Sequence, residues 1–162
     1  MEKEFRGKDG DVFCTAEYDR AKNWIYANWI GYVSTDEIKE AGLAYIQMVK
    51  ETGCPKLLND NRELVGPFKA ANDGIEKVWT PQIIRNGVRY FAHLVSHGIY
   101  GQLSAQDLHQ RIAGALDMRI FSEEEKAKAW LRSCPSWFRH WLYQVYWTEQ
   151  AKTKTDHPAF GI

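Results

Sequence analysis

No run of about 18 consecutive apolar residues occurs anywhere in the chain, so the sequence offers no candidate for a membrane-spanning helix. The opening residues, Met1-Glu2-Lys3-Glu4-Phe5-Arg6, contain no apolar core segment, so a secretory leader is not expected. An excess of one charge is missing too, since 21 Lys and Arg stand against 21 Asp and Glu. A nucleic-acid partner held by bulk positive charge is therefore not expected. Cysteine is scarce and odd in number: Cys14, Cys54 and Cys134 lie far apart, with no Cys-x-x-Cys pair. That excludes a disulfide framework and suits the reducing cytoplasm, with the thiols buried in or near a core. Cys54 and Cys134, each followed by proline, are the candidates for a reactive thiol.

Catalytic and ligand-binding signatures are also sparse. His-Glu-x-x-His is absent, and His109 and His140 have no partner at metal-ligand spacing, so no metal or other cofactor is expected. Gly98-x-x-Gly101 lacks the lysine of a phosphate-binding loop. No Gly-x-Ser-x-Gly nucleophile elbow occurs. Between Gly53 and Trp79 there is neither serine nor threonine. His93 reads as a satisfied core or helix-facing histidine.

What is abundant is aromatic: seven Trp, eight Tyr and seven Phe, concentrated in residues 18–32 and 137–147, so both stretches need burial. Residues 1–10 are charged and read as a flexible lead-in. Residues 11–18 and 23–31 alternate in polarity around a polar turn, as a β-hairpin does. Ser34-Thr35-Asp36-Glu37 is a capping box that opens a helix stopped by Gly53 and Pro55. Lys56 to Asp60 reads as a short buried strand, entering the polar loop Asn61-Arg62-Glu63. Gly66-Pro67 opens the next helix. Gly74 lies inside it without an evident reason, and Thr80-Pro81 marks a kink or a second helix. Residues 88–95 form an almost wholly apolar strand, as one covered on both faces should. Ser104 is expected to cap a third helix, 118–121 to form a strand, and Ser122 to cap a fourth helix ending at Cys134-Pro135. A last helix runs to about Gln150, followed by a polar tail. The fold class is α/β: a single mixed, mostly parallel sheet of about five strands with an antiparallel edge hairpin. Helices pack against it, with an aromatic C-terminal helix added. The domain occupies 11–133, and 134–162 form the C-terminal helix and tail.

That order of elements resembles the STAS fold of anti-sigma-factor antagonists, and more closely its SpoIIAA-like branch, which is related to CRAL-TRIO-type lipid-binding domains. The likeness rests on Leu57-Leu58-Asn59-Asp60 as the third strand and on Met118-Arg119-Ile120-Phe121 followed by Ser122-Glu123-Glu124-Glu125 and Trp130-Leu131. The resemblance implies a non-enzymatic protein-interaction module. Its usual switch is a phosphorylated serine at the start of the helix after the third strand. Here that stretch is Val65-Gly66-Pro67-Phe68, with no hydroxyl to modify. The CRAL-TRIO kinship implies an alternative, a carrier of a small apolar ligand.

Adjacent parallel strands expose their carboxyl ends together. Asn59, Asp60, Arg62 and Glu63 are therefore expected to share one binding rim with Ser96, His97 and Tyr100. A small enzyme using Asp60 and His97 is a further alternative. Trp137, Trp141, Tyr143 and Trp147 lie in a stretch of six aromatics within eleven residues. That is more than one core face of a helix accommodates, so a homodimer interface is expected there. Packing on the chain's own sheet and contact with a membrane surface are the alternatives.

Overall fold

The computed structural model describes residues 1–95 and 98–135. Six strands form one mixed sheet in the order β1-β2-β3-β4-β5-β6, which is also their order along the chain. They are β1 (Glu2–Arg6), β2 (Val12–Asp19), β3 (Trp24–Gly31), β4 (Lys56–Leu64), β5 (Tyr90–Val95) and β6 (Asp117–Phe121). The pairs β1/β2 and β2/β3 are antiparallel, and β3/β4, β4/β5 and β5/β6 are parallel. Among the described residues four helices pack against the sheet. We label them α1 (Thr35–Thr52), α2 (a continuous helical segment, residues 69–85), α3 (Ile99–Ile112) and α4 (Glu124–Ser133). The α/β class, the antiparallel edge and the central place of the Lys56 strand all agree with the sequence reading.

The strand count rises from five to six because the lead-in is not loose. Residues Glu2–Arg6 pair with β2, and Phe5 packs with its ring centroid 6.2 Å from that of Phe13. Phe5 is the only large apolar residue in β1, and its charged neighbours are typical of an edge strand that must not recruit another chain. Charge alone made the stretch look disordered.

Two caps also differ. Ser104 lies inside α3, which starts five residues earlier, after Gly98. Its hydroxyl donates back to Tyr100 O at 2.9 Å and accepts from the Phe68 amide at 3.3 Å, so it joins helix to loop rather than opening a helix. Ser122 likewise caps nothing; Glu123 precedes α4 and makes no side-chain cap. The Ser34–Glu37 capping box is present, and Gly53 ends α1 in the left-handed region at φ 64°, where a Cβ would be strained.

Helix α2 begins at Lys69, not at Pro67, and contains a wide turn over Ile75–Trp79. Pro81 accounts for it. Proline has no N–H, and its ring collides with the carbonyl four residues back in a regular helix. The chain instead closes a larger ring, with the Thr80 amide donating to Ile75 O, five residues away. The widened turn presents Ile75, Val78 and Trp79 towards α1.

Alternation along β4 divides the core in two. Leu57 belongs to a large cluster with β2, β3, α1, α2 and α3, and Leu58 to a smaller one with Trp24, Tyr90, Leu94 and Leu131 of α4. Both leucines are completely buried. Leu57→Ala and Leu58→Ala should each lower the unfolding free energy by about 2–5 kcal/mol. Urea titration followed by circular dichroism measures this. A loss under about 1 kcal/mol at either position would mean that one face of β4 is not covered.

Candidate functional site

Strand β4 is nine residues long, so Asn61, Arg62 and Glu63 are strand residues and not a loop. Strand β3 is responsible: its far end supplies partners, with Ile30 opposite Glu63 and Gly31 opposite Leu64. A strand residue points to one face or the other, so the polar cluster expected on a single rim is divided. Asn59 and Asn61 face the large cluster, and Asp60 and Arg62 face α4.

On the α4 face, Asp60 is only 2% exposed. Arg62 Nε and Nη2 donate to its carboxylate at 2.9 and 2.6 Å, and Tyr26 Oη donates at 3.1 Å. Arg62 continues to Glu124 on α4 at 2.8 Å, and Glu124 pairs with Lys128. Burial alone would raise the Asp60 pKa, but the hydrogen bonds and charge of Arg62 outweigh it and hold the carboxyl below its usual range. This Asp60 is an anchored structural anion tying β4 to β3 and α4. Glu63 is exposed and accepts from Asn28 Nδ2 at 3.1 Å. Tyr100, at the start of α3, is 65% exposed. Ser96 and His97 lie outside the described residues, as do Trp137, Trp141, Tyr143 and Trp147.

The other face holds a site that the sequence did not announce. A cavity of about 220 Å³ opens between α1 and α2, above the face of the sheet formed by β3, β4 and β5. Its floor is made by Trp29, Asn59, Asn61, Phe91 and His93. Its rim carries Lys39 and Leu43 from α1 and Gly74 and Val78 from α2, all exposed. The walls are predominantly apolar, with Tyr45 Oη and Trp79 Nε1 as buried polar atoms that have no hydrogen-bond partner among the described residues, and Lys39 is the only charged side chain among the described lining residues.

Five rings form a continuous line through this wall. Tyr45 meets Trp79 edge-on at 6.0 Å, Trp79 meets Phe91 at 5.8 Å, Phe91 meets His93 at 5.5 Å, and His93 stacks on Phe68 at 5.6 Å. Gly42 permits the approach of Trp79 to α1, because a Cβ there would lie 3.3 Å from the indole Cδ1. The two asparagines are tied down: Trp29 Nε1 donates to Asn59 Oδ1 at 2.7 Å, and Asn59 Nδ2 donates to Asn61 Oδ1 at 2.8 Å.

His93 is the exception in this ordered floor. It is 2% exposed, and neither ring nitrogen has a hydrogen-bond partner among the described residues. It is therefore a core, helix-facing histidine, as expected, but not a satisfied one. Burial pushes its pKa down to about 4, with Asp60 acting weakly in the opposite direction from the far face of the sheet. The imidazole is therefore neutral at physiological pH, with one donor and one acceptor nitrogen. His93 and His97 are spaced four apart, a ligand spacing on a helix, but His93 sits in a strand. No cluster of three or more His, Cys, Asp or Glu suited to a metal ion occurs among the described residues.

The cysteines supply no nucleophile to the cavity. All three are free and buried. Burial pushes the thiols of Cys14 and Cys54 up to about 12 and about 11, and raises that of Cys134, so the two proposed reactive thiols are held protonated.

His93 makes stability pH-dependent in a defined window. Its folded pKa lies below the unfolded value near 6.5, so the unfolded chain takes up the proton first. Stability is complete above that value, falls as pH drops from about 6.5 to about 4, and changes no further through this group below. The loss from this one residue should be about 3 kcal/mol. Denaturant melts of wild type and His93→Phe at pH 7, 5.5 and 4 measure it. Equal pH slopes in the two proteins would show that His93 is not held neutral by the fold.

Comparison of the chain with protein-family models, curated proteins and solved structures finds no match.

Proposed function

We propose that this domain is a non-enzymatic binding module whose cavity between α1 and α2 takes up a small, predominantly apolar molecule. The observation that carries this reading is the cavity itself: about 220 Å³, walled mainly by aromatic and aliphatic side chains, with few polar groups in its lining. Ligand sites have this composition. The volume exceeds that of an engineered apolar cavity of about 150 Å³ that admits benzene. The element order from β2 to α4 is the one on which the STAS and CRAL-TRIO resemblance rests, and the carrier role is the part of it that the cavity supports.

Gly74 acquires a role under this reading. It sits on the rim, and a Cβ built there meets nothing within 4 Å. A glycine inside a helix costs about 1 kcal/mol relative to alanine, so leaving the rim open has a measurable cost to the fold. Gly74→Leu should therefore preserve or raise the melting temperature while narrowing the opening. Binding of toluene or indole, followed by the fluorescence of Trp29 and Trp79, should weaken at least tenfold. Unchanged binding in a folded Gly74→Leu protein would place the ligand elsewhere.

A second reading, the STAS-like interaction module, has its own observation. Ile99, Tyr100 and Leu103 are 66%, 65% and 52% exposed and lie together at the start of α3. Exposed apolar patches mark contacts when they are contiguous. Self-association is the form of this reading that the aromatic stretch around Trp137 and Trp141 favours. Light scattering on the full chain at micromolar concentration should then give twice the chain mass, and Tyr100→Ser with Leu103→Ser should shift that mass towards the monomer if the patch at the start of α3 takes part in the contact. A monomer mass for the unmodified chain would remove the homodimer.

A further inference from the structure

The chemistry of the cavity floor narrows the class of occupant, and this step rests on the binding reading above. We propose that the site selects a neutral, ring-sized molecule carrying one hydroxyl, carbonyl or ring N–H group, with His93 as the side chain that hydrogen-bonds to it.

Three observations lead there. The first is size. A cavity of about 220 Å³ lies above the benzene-sized case and below the roughly 300 Å³ at which pockets for drug-sized ligands begin. One ring or two fused rings fit. The aromatic rings of Phe68, Phe91 and Trp79 in the lining suit a flat guest.

The second is the unpartnered imidazole. Buried polar atoms are nearly always hydrogen-bonded, and an orphan calls for an explanation. His93 leaves both nitrogens unpaired although Asn59, beside it on β4, is engaged by Trp29 and Asn61; Tyr45 Oη and Trp79 Nε1 in the cavity wall are unpaired as well, and of these three side chains His93 is the one on the floor. A guest hydroxyl is able to donate to the bare nitrogen or accept from the protonated one, whichever tautomer is present. Its hydrogen bond is then made in a water-poor setting, so a guest lacking the group should be discriminated against.

The third is charge. Lys39 is exposed at the rim, so no cation lines the inner wall among the described residues. Asp60, the nearest buried anion, is on the opposite face of the sheet and already held by Arg62. The burial that keeps the imidazole unprotonated also penalises any ionised guest. A carboxylate or ammonium placed at the floor would be desolvated with nothing to compensate it.

The full chain titrated separately with phenol, toluene and benzoate tests this, using calorimetry at pH 7. Phenol should bind at least tenfold more tightly than toluene, and benzoate at least tenfold more weakly than phenol. In His93→Phe the difference between phenol and toluene should vanish while toluene still binds. His93→Gln, which restores a donor and an acceptor, should recover part of the preference, with circular dichroism confirming that each variant is folded. Toluene binding as tightly as phenol to the wild type would overturn the anchoring role of His93, and would be the result if an ordered water satisfied the imidazole instead. Benzoate binding more tightly than phenol would overturn the neutral class. A phenol preference that survives in folded His93→Phe would also overturn the assignment. If none of the three binds, the cavity reading itself falls, and with it this inference.

Discussion

The two-residue period of β4 is the constraint on which the rest of this structure depends. A strand buried on both faces at the middle of a sheet usually carries only apolar side chains. Here six consecutive residues, Lys56 to Asn61, are buried, and four of them are polar or charged. Each interior polar group has to be paired or neutralised, because an unpaired one is costly in a medium without water. Asp60 obtains Arg62 and Tyr26, and Asn59 obtains Trp29 and Asn61. These pairs lock β3, β4 and α4 into one arrangement, since a slip of one residue would send Asp60 into the aromatic wall and Leu57 towards α4.

The cavity follows from a local conflict between proline and a helix. Pro81 prevents a regular helix from running through residues 75–80, and the wider turn that results changes which side chains of α2 face α1. Gly42 lets the Trp79 indole come close to α1, and Gly74 leaves the rim without a side chain. Against this, the sheet face below contributes rings and amides that are already positioned by their own hydrogen bonds. The result is space bounded on three sides by groups that have little freedom to close it. Among the described floor residues His93 is the polar side chain that makes no hydrogen bond at all, which is why the chemistry of the site centres on it.

Much of the architecture was legible in the sequence because it is encoded locally. The Ser34–Glu37 box, the Gly53 stop, the alternation of 12–18 and the apolar run at 88–95 each specify their element through neighbours a few residues away. Where legibility failed, the deciding partner was distant. Glu2–Arg6 is a strand because β2 is beside it, and Ser104 is interior because Phe68 and Tyr100 use its hydroxyl. Asn61 to Glu63 stay extended because β3 is long enough to pair with them. The candidate residues divided in the same way: Asp60 and Arg62 were legible as a charged pair but not as a buried one, and His93 was legible as a core residue but not as an unpartnered one.

The amino-acid sequence by itself determined the α/β class, the succession of strands and helices from β2 to α4, and the absence of a hydroxyl for modification at the start of α2. These depend on residue type and on periods of two or 3.6 residues, which need no knowledge of distant contacts. Only the tertiary structure decided which face of β4 each polar side chain occupies, that Asp60 is neutralised, and that a cavity lies over His93. Those outcomes depend on register between strands, on the widened turn before Pro81, and on the packing of α1 against α2. Apart from the break marked by Thr80-Pro81, they arise between segments up to some sixty residues apart, as Arg62 and Glu124 are, and no local pattern records them.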